Sequence, residues 1–276
     1  MSDDDERLFG VERGRVVAAL ARAEAWLAKT ELTSILMFAD RLFMRAEVSG
    51  GEEAAADRAR VLARVDEGLA AIDQDLRDDV DDTTSVLVVR SSLEKLGRTD
   101  DVARLDAMLA RYMHQLPDLA ETWPEFERST YFYWAARAGV ARPRRPGTPP
   151  SELHRRLYFD LHMLMIATDY GARALDVAAV DDPILVEALG YPERLANARL
   201  RGENADLVAE ALLVELALEP ARLMRIGTLL ATLVDAQEHD GSFAPRQTAP
   251  KDARHHATCV ACGVLHRALA HPRAAD

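Results

Sequence analysis

Four carboxylates crowd into five positions at Asp78, Asp79, Asp81 and Asp82, interrupted only by Val80. Like charges this close resist ionising together, so at least one acid of the run should hold its proton well above the ordinary carboxylate pKa of about 4. A carboxylic acid kept protonated at the mouth of an apolar cavity can give that proton to a weakly basic group such as an alkene or epoxide. Thr83 and the apolar run Val86 to Val89 follow at once, so the acids introduce a helix with a greasy body. The plain structural alternative is an acidic helix start, where Asp caps the first turn and faces the helix dipole.

Other residues have types and spacings that could do chemistry. His255, Cys259, Cys262 and His266 fall at offsets of 0, 4, 7 and 11 on one helical stripe. Such a stripe runs about 16 Å, too long for one zinc ion to use all four, although two neighbours could share one. His162 and Asp169 lie about two turns apart on a helix face that also carries Tyr158 and Met165. A polar pair there could line a cavity, with Asp169 orienting His162; a satisfied core histidine is the alternative. Trp123, Phe126, Tyr131, Phe132, Tyr133 and Trp134 are the densest aromatic cluster, and aromatic faces stabilise cations as readily as they fill cores. Arg142, Arg144 and Arg145 could grip a diphosphate, or simply keep a surface loop wet. No stretch resembles a Walker loop, a dinucleotide fingerprint or a nucleophile elbow.

The elements that must position these groups are helices. Helical periodicity covers residues 9–29, 32–48, 52–75, 82–97, 100–115, 125–139, 151–170, 183–199, 203–218, 220–238 and 252–270. Ser151, Asp182 before Pro183, and Asp252 are the expected caps. Glycines and prolines such as Gly97, Pro117, Gly139, Gly171, Gly190 and Gly241 mark the breaks. So many short helices joined by short breaks suggest stacked helical hairpins. The segment 141–150 is the one true linker, its prolines forbidding helix and its arginines favouring solvent.

Composition narrows the function classes. A chain of 276 residues is long enough for a substantial core, and 49% of it is hydrophobic. Its longest apolar stretches fall well short of a membrane span, and the acidic first residues lack the basic start of a signal peptide. The expectation is a soluble cytoplasmic protein. A net charge of −12 argues against a nucleic-acid partner, which would need a basic face. The positive charge is nearly all Arg, with Lys only at 29, 95 and 251, a bias that suggests a GC-rich bacterial genome. The two cysteines sit in one short segment, so no disulfide framework is implied.

Two motifs carry a resemblance. Asp79-Val80-Asp81-Asp82-Thr83 resembles the D-x-D-D-T signature of class II terpene cyclases. Gln237-Glu238-His239-Asp240-Gly241-Ser242-Phe243 is similar to the Q-x-x-D-G-S-[FW] turns of α/α-toroid proteins, and His255 to Leu265 is similar to their Y-x-T-x-x-A-L inner helices. Residues 83–89 and 205–213 are weaker echoes of the same helices. The shared family is the β-type domain of class II terpene cyclases, squalene–hopene cyclases and protein prenyltransferase β-subunits. The family normally pairs two such barrels and repeats the turn several times, whereas this chain has material for one barrel and one clear turn.

What the resemblance implies is an all-α fold, a single α/α toroid spanning residues 1–276. Asp81 would be the acid that protonates an isoprenoid substrate in bacterial specialised metabolism, with Asp79 and Asp82 tuning it. Substrate would lie against Trp123, Tyr131, Tyr133, Trp134, Tyr158, His162 and His256 in one central pocket. The N-terminal helices (9–48) or a second subunit would close the open mouth, because water quenches a carbocation. Cyclisation itself requires no metal or cofactor; magnesium would accompany a diphosphate group if the substrate carries one. The alternatives are a non-catalytic toroid that binds an apolar ligand or a partner protein, and a zinc-dependent transferase. In the last, His256 matches by position a zinc-binding His of the prenyltransferases, with no D-x-C pair upstream of it.

Overall fold

A computed structural model describes residues 7–47, 52–75, 80–112, 123, 125–140, 147–197, 204–245 and 249–272. The fold is all-α: thirteen α-helices are described, accompanied by a short 3-10 helix (Val177–Ala179) and four two-residue strands. Among the described residues no helix is long and apolar enough to cross a membrane. The chain divides into two compact units, residues 1–30 with 150–276, and residues 31–149. The helices expected as a lid over 9–48 are thereby divided, one to each unit.

The 31–149 unit contains α2 (Ile35–Glu47), α3 (Glu52–Ala63), α4 (Val65–Asp75), α5 (Val80–Lys95), α6 (Thr99–Tyr112) and α7 (Glu125–Arg137). Helix α5 is its axis and packs on α2, α6 and α7. Its apolar run supplies the core, with Val86, Leu87, Val89 and Leu93 buried. The periodic stretch 52–75 is two helices rather than one, broken at Arg64 where no glycine or proline announces it. Tyr131, Phe132 and Trp134 of α7 are buried. The Arg137 guanidinium ties α7 to α5, donating from Nε to Ser91 Oγ at 3.0 Å and from a terminal nitrogen to the Tyr133 hydroxyl at 3.0 Å.

The other unit begins with a two-residue hairpin, β1 (Arg7–Leu8) and β2 (Val11–Glu12), where helix was expected from residue 9. Phe9 and Gly10 both take positive φ, which no helix accommodates. Then come α1 (Arg13–Lys29), α8 (Leu153–Ala167), α9 (Pro183–Ala188), α10 (Tyr191–Asn197), α11 (Ala205–Ala217), α12 (Leu223–Asp235) and α13 (Lys251–Ala270). The two-residue strands β3 (Leu175–Asp176) and β4 (Leu218–Glu219) pair in parallel. Helix α11 is the buried centre, packed against α8, α12 and α13.

Caps follow ordinary chemistry with two shifts. Asp182 caps α9 by accepting from Ile184 N, ahead of Pro183, as expected. At α8 the cap is Glu152 rather than Ser151, its carboxylate accepting from His154 N and Arg155 N. At α13 the cap position is Pro250, and Asp252 sits in the first turn, where its charge faces the helix dipole.

The Gln237–Phe243 turn locks the N-terminal helix to the rest of its unit. Gln237 Nε2 donates to Ala19 O at 2.8 Å and to Gly241 O at 2.9 Å. Asp240 Oδ1 accepts from the Ser242 backbone N–H and hydroxyl. Gly241 takes φ +93, and a Cβ there would lie 2.6 Å from Arg22 O, so the turn needs glycine twice over. Phe243 is fully buried, and its N–H donates to Thr258 Oγ1 at 3.0 Å, joining the turn to α13.

Candidate functional site

The polar groups that converge most tightly lie inside the 1–30/150–276 unit. Asp206 and Glu210 are one turn apart on α11, so both project from the same face. Asn204 starts that helix by accepting from Leu207 N with Oδ1 at 3.2 Å, which fixes where the two acids fall. Tyr158 and His162 repeat the same i,i+4 spacing on α8, and His256 comes from the first turns of α13. One ligand atom from each of Asp206, Glu210 and His256 lies within 4.8 Å of the others.

Specific contacts organise the cluster. The Tyr158 hydroxyl donates to Asp206 Oδ2 at 3.0 Å. His256 Nε2 stands 3.7 Å from Asp206 Oδ1, and His162 Nε2 stands 3.8 Å from Glu210 Oε1. His162 Nδ1 bonds the Tyr158 carbonyl oxygen at 2.9 Å; a carbonyl only accepts, so that nitrogen carries the proton.

Burial dominates the electrostatics. Asp206 is 6% exposed and Glu210 2% exposed. Burial, and then the neighbouring Asp206 charge, push the Glu210 carboxyl well above its ordinary range, while His256 opposes the shift. Burial pushes the His162 imidazole down to about 3, with His256 adding to the effect, so the ring is neutral at physiological pH. Burial also raises the Tyr158 phenol, reinforced by Asp206 and Glu210, so it remains a hydrogen-bond donor.

Asp206 Oδ1 and Glu210 Oε2 are buried and accept no hydrogen bond. Two carboxylate oxygens in that condition are costly unless something positive is supplied to them. A divalent cation fits the donor set. Ligand bonds of about 2.0–2.1 Å in a tetrahedron place donor atoms roughly 3.3–3.4 Å apart. The 3.7 Å between His256 Nε2 and Asp206 Oδ1 is close to that, and the trio, held within 4.8 Å, would draw in around the ion. Oxygen with imidazole nitrogen suits zinc, manganese, iron or cobalt better than magnesium.

Tyr158, His162 and His256, expected from sequence to line a site, are therefore brought together, and Asp206 and Glu210 are the partners sequence reasoning missed. Their signal was present: two acids one turn apart in a helix otherwise built of Ala, Leu and Val. Asp169 lies beyond the Thr168 C-cap of α8 with φ 50, outside the helix face on which it was expected to orient His162. His255 is fully buried with Cys259 Sγ 3.7 Å from its Nδ1, and His266 donates to Glu24 Oε1 at 2.9 Å, so both histidines of that stripe have protein neighbours.

The remaining expected residues belong to the 31–149 unit. Tyr131 and Trp134 are core, Trp123 stacks edge-on against Tyr131, and Tyr133 receives the Arg137 bond. Asp79 lies outside the described residues. Asp81 and Asp82 fall in the first turn of α5, and their side chains are outside the described ones. The arginines of 142–145 are likewise outside the described residues.

A cleft of about 950 Å³ opens on the same unit beside Tyr191, Leu195, Val208, Arg222, Met224 and Arg225. Val208 lies half a helical turn from Asp206 and from Glu210, so α11 separates this cleft from the carboxylate cluster. Two of its lining residues hold the buried Glu215 carboxylate, the Tyr191 hydroxyl donating at 2.6 Å and Arg225 at 3.2 Å.

No protein-family model matches the chain, and no curated protein sequence matches it.

Proposed function

We propose that this protein is a divalent-metal enzyme, the zinc-dependent transferase among the readings of its sequence, with Asp206, Glu210 and His256 holding the ion. The observation that carries the proposal is the pair of buried carboxylate oxygens, Asp206 Oδ1 and Glu210 Oε2, left without donors beside an imidazole. A bound cation of this kind supplies Lewis acidity and lowers the pKa of a coordinated water or thiol, so a nucleophile forms at neutral pH. The chain's own groups do the positioning. Tyr158 holds Asp206 by its hydroxyl, and the deep burial of Glu210 keeps the field at the site strong. The test is elemental analysis of purified protein before and after exhaustive dialysis against chelator. About one equivalent of zinc, manganese, iron or cobalt, lost in Asp206→Ala and His256→Ala, is expected; protein that neither carries nor takes up metal sinks the proposal.

A second reading is the class II terpene cyclase-like one, with Asp81 as the acid, a toroidal arrangement of the helices and an isoprenoid substrate. What supports it is the Gln237–Phe243 turn, similar to the toroid turns, in which Gln237 and Asp240 bond backbone groups, Gly241 turns the chain and Phe243 is buried. The start of α5 at Val80, which sets Asp81, Asp82 and Thr83 in one first turn, supports it too. Incubation with a panel of prenyl diphosphates and free polyprenyl substrates separates the readings. Metal-independent product formation abolished by Asp81→Asn would favour the cyclase; product formation that requires metal and survives Asp81→Asn would favour the transferase.

A further inference from the structure

Resting on the metal reading above, the geometry points to His162 as a fourth ligand, giving a set of two imidazoles and two carboxylates drawn from three helices. Two observations and one general property of ligating histidines lead there. The ring tautomer is fixed, because Nδ1 donates to the Tyr158 carbonyl oxygen at 2.9 Å and leaves Nε2 with the lone pair. Ligating histidines characteristically make this second bond to a carbonyl or carboxylate, which both orients the ring and raises the basicity of the ligating nitrogen. Nε2 then lies 3.8 Å from Glu210 Oε1, a distance beyond a hydrogen bond. A shared ion at about 2.0–2.1 Å from each atom spans that separation at a ligand angle of roughly 130–145°, which closes toward the tetrahedral value as the ring turns to the ion.

The placement of the helices makes the set coherent. Helix α11 is packed on both α8 and α13, so imidazoles can reach its carboxylate face from two sides. The four residues pair by element, with Asp206 nearest His256 and Glu210 nearest His162. His162 stands somewhat outside the tighter trio, so a modest rotation of its ring toward the ion accompanies binding. The side chain is 12% exposed and that of His256 36%, so the open side of the site is the His256 side. With four protein ligands in place, a substrate would reach the ion from there, either by raising the coordination number or by displacing His256.

The experiment uses the full chain stripped of metal and titrated with Zn²⁺, Co²⁺ and ¹¹³Cd²⁺. Wild type should bind one Co²⁺ with the intense visible bands of a four-coordinate site. His162→Ala and His162→Gln should weaken Zn²⁺ binding by more than the roughly 10- to 100-fold that loss of an outer-shell partner costs, and should dim those bands. In wild type loaded with ¹¹³Cd²⁺, two ring nitrogens should show coupling to cadmium, and the spectrum of His162→Gln, by lacking one, assigns it. The count of two coupled nitrogens is read in wild type and so does not depend on how well a variant folds. Cadmium coupling to His256 alone, with His162 variants binding as wild type does, overturns the fourth ligand while leaving the three-residue centre intact. Failure of wild type to bind any of the three ions overturns both.

Discussion

Asp206 and Glu210 share one face of a single helix, one turn apart, and each presents a buried oxygen that accepts no hydrogen bond. Burial and mutual repulsion both disfavour two charges there, so in the absence of a cation the pair works against folding. Glu210→Gln keeps the shape, replaces a carboxyl whose ionisation burial and Asp206 already oppose with a permanently neutral group, and adds two N–H donors beside Asp206. The metal-free variant should be more stable than metal-free wild type by about 1 kcal/mol, as when a site gives up function for stability. Chemical denaturation with chelator present measures it. A less stable variant would mean that Glu210 already makes favourable contacts as a carboxylate, and the metal reading would lose its support.

The same pair makes stability depend on metal. A ligand present at 100 times its dissociation constant stabilises the folded state by about 2.7 kcal/mol. In a chain of this length that corresponds to a rise in melting temperature of about 5–10 °C. Thermal melts with Zn²⁺ or Co²⁺ should show the rise, chelator should reverse it, and Asp206→Ala should abolish it. Magnesium at the same concentration should do far less, because it prefers an all-oxygen octahedron.

Much of this fold is legible in the sequence, for local reasons. Asp182 before Pro183 and the change of period at each glycine depend on neighbours within one turn, so the helices of 80–95, 125–137 and 251–270 fall close to where periodicity puts them. Phe9, with its positive φ, and the break at Arg64 have no compositional marker, and both were read through as helix. The carboxylate cluster was half legible for a different reason. Tyr158, His162 and His256 stand out as polar residues in apolar surroundings. Their convergence with Asp206 and Glu210 exists only because α8, α11 and α13 are packed together, and no local spacing encodes that packing.

The Gln237–Phe243 turn predicts a graded loss of stability. Gly241→Ala must accept positive φ and also push against Arg22 O, so it should cost more than 1 kcal/mol, beyond the usual strain of a left-handed residue. Phe243→Ala empties a fully buried site and should cost about 3–5 kcal/mol. Gln237→Ala loses the donor to Ala19 O and should cost roughly 1 kcal/mol, with increased amide exchange in α1. Equal effects at the three positions would mean the turn does not hold α1 as described.

Asp240 gives this turn a pH dependence whose sign can be worked out. Partial burial alone would raise its carboxyl, but hydrogen bonds from the Ser242 hydroxyl and N–H, with Arg254 and the Trp26 side chain, outweigh it and hold the pKa below the ordinary Asp value. The ionised form is therefore favoured more in the folded state than in the unfolded chain. Its contribution is present in full above the unfolded pKa of about 3.9 and is lost as pH falls through the lower folded value. The group is largely exposed and Arg254 is 3.8 Å away, so the size is a few tenths of a kcal/mol and should shrink in high salt. Asp240→Asn keeps the acceptor oxygen and removes the charge. Wild type should be slightly more stable than this variant at pH 6, and the difference should vanish toward pH 2. A difference that grows on acidification would mean that the carboxyl is held above its ordinary value, and the assigned role of the Ser242 bonds would be wrong.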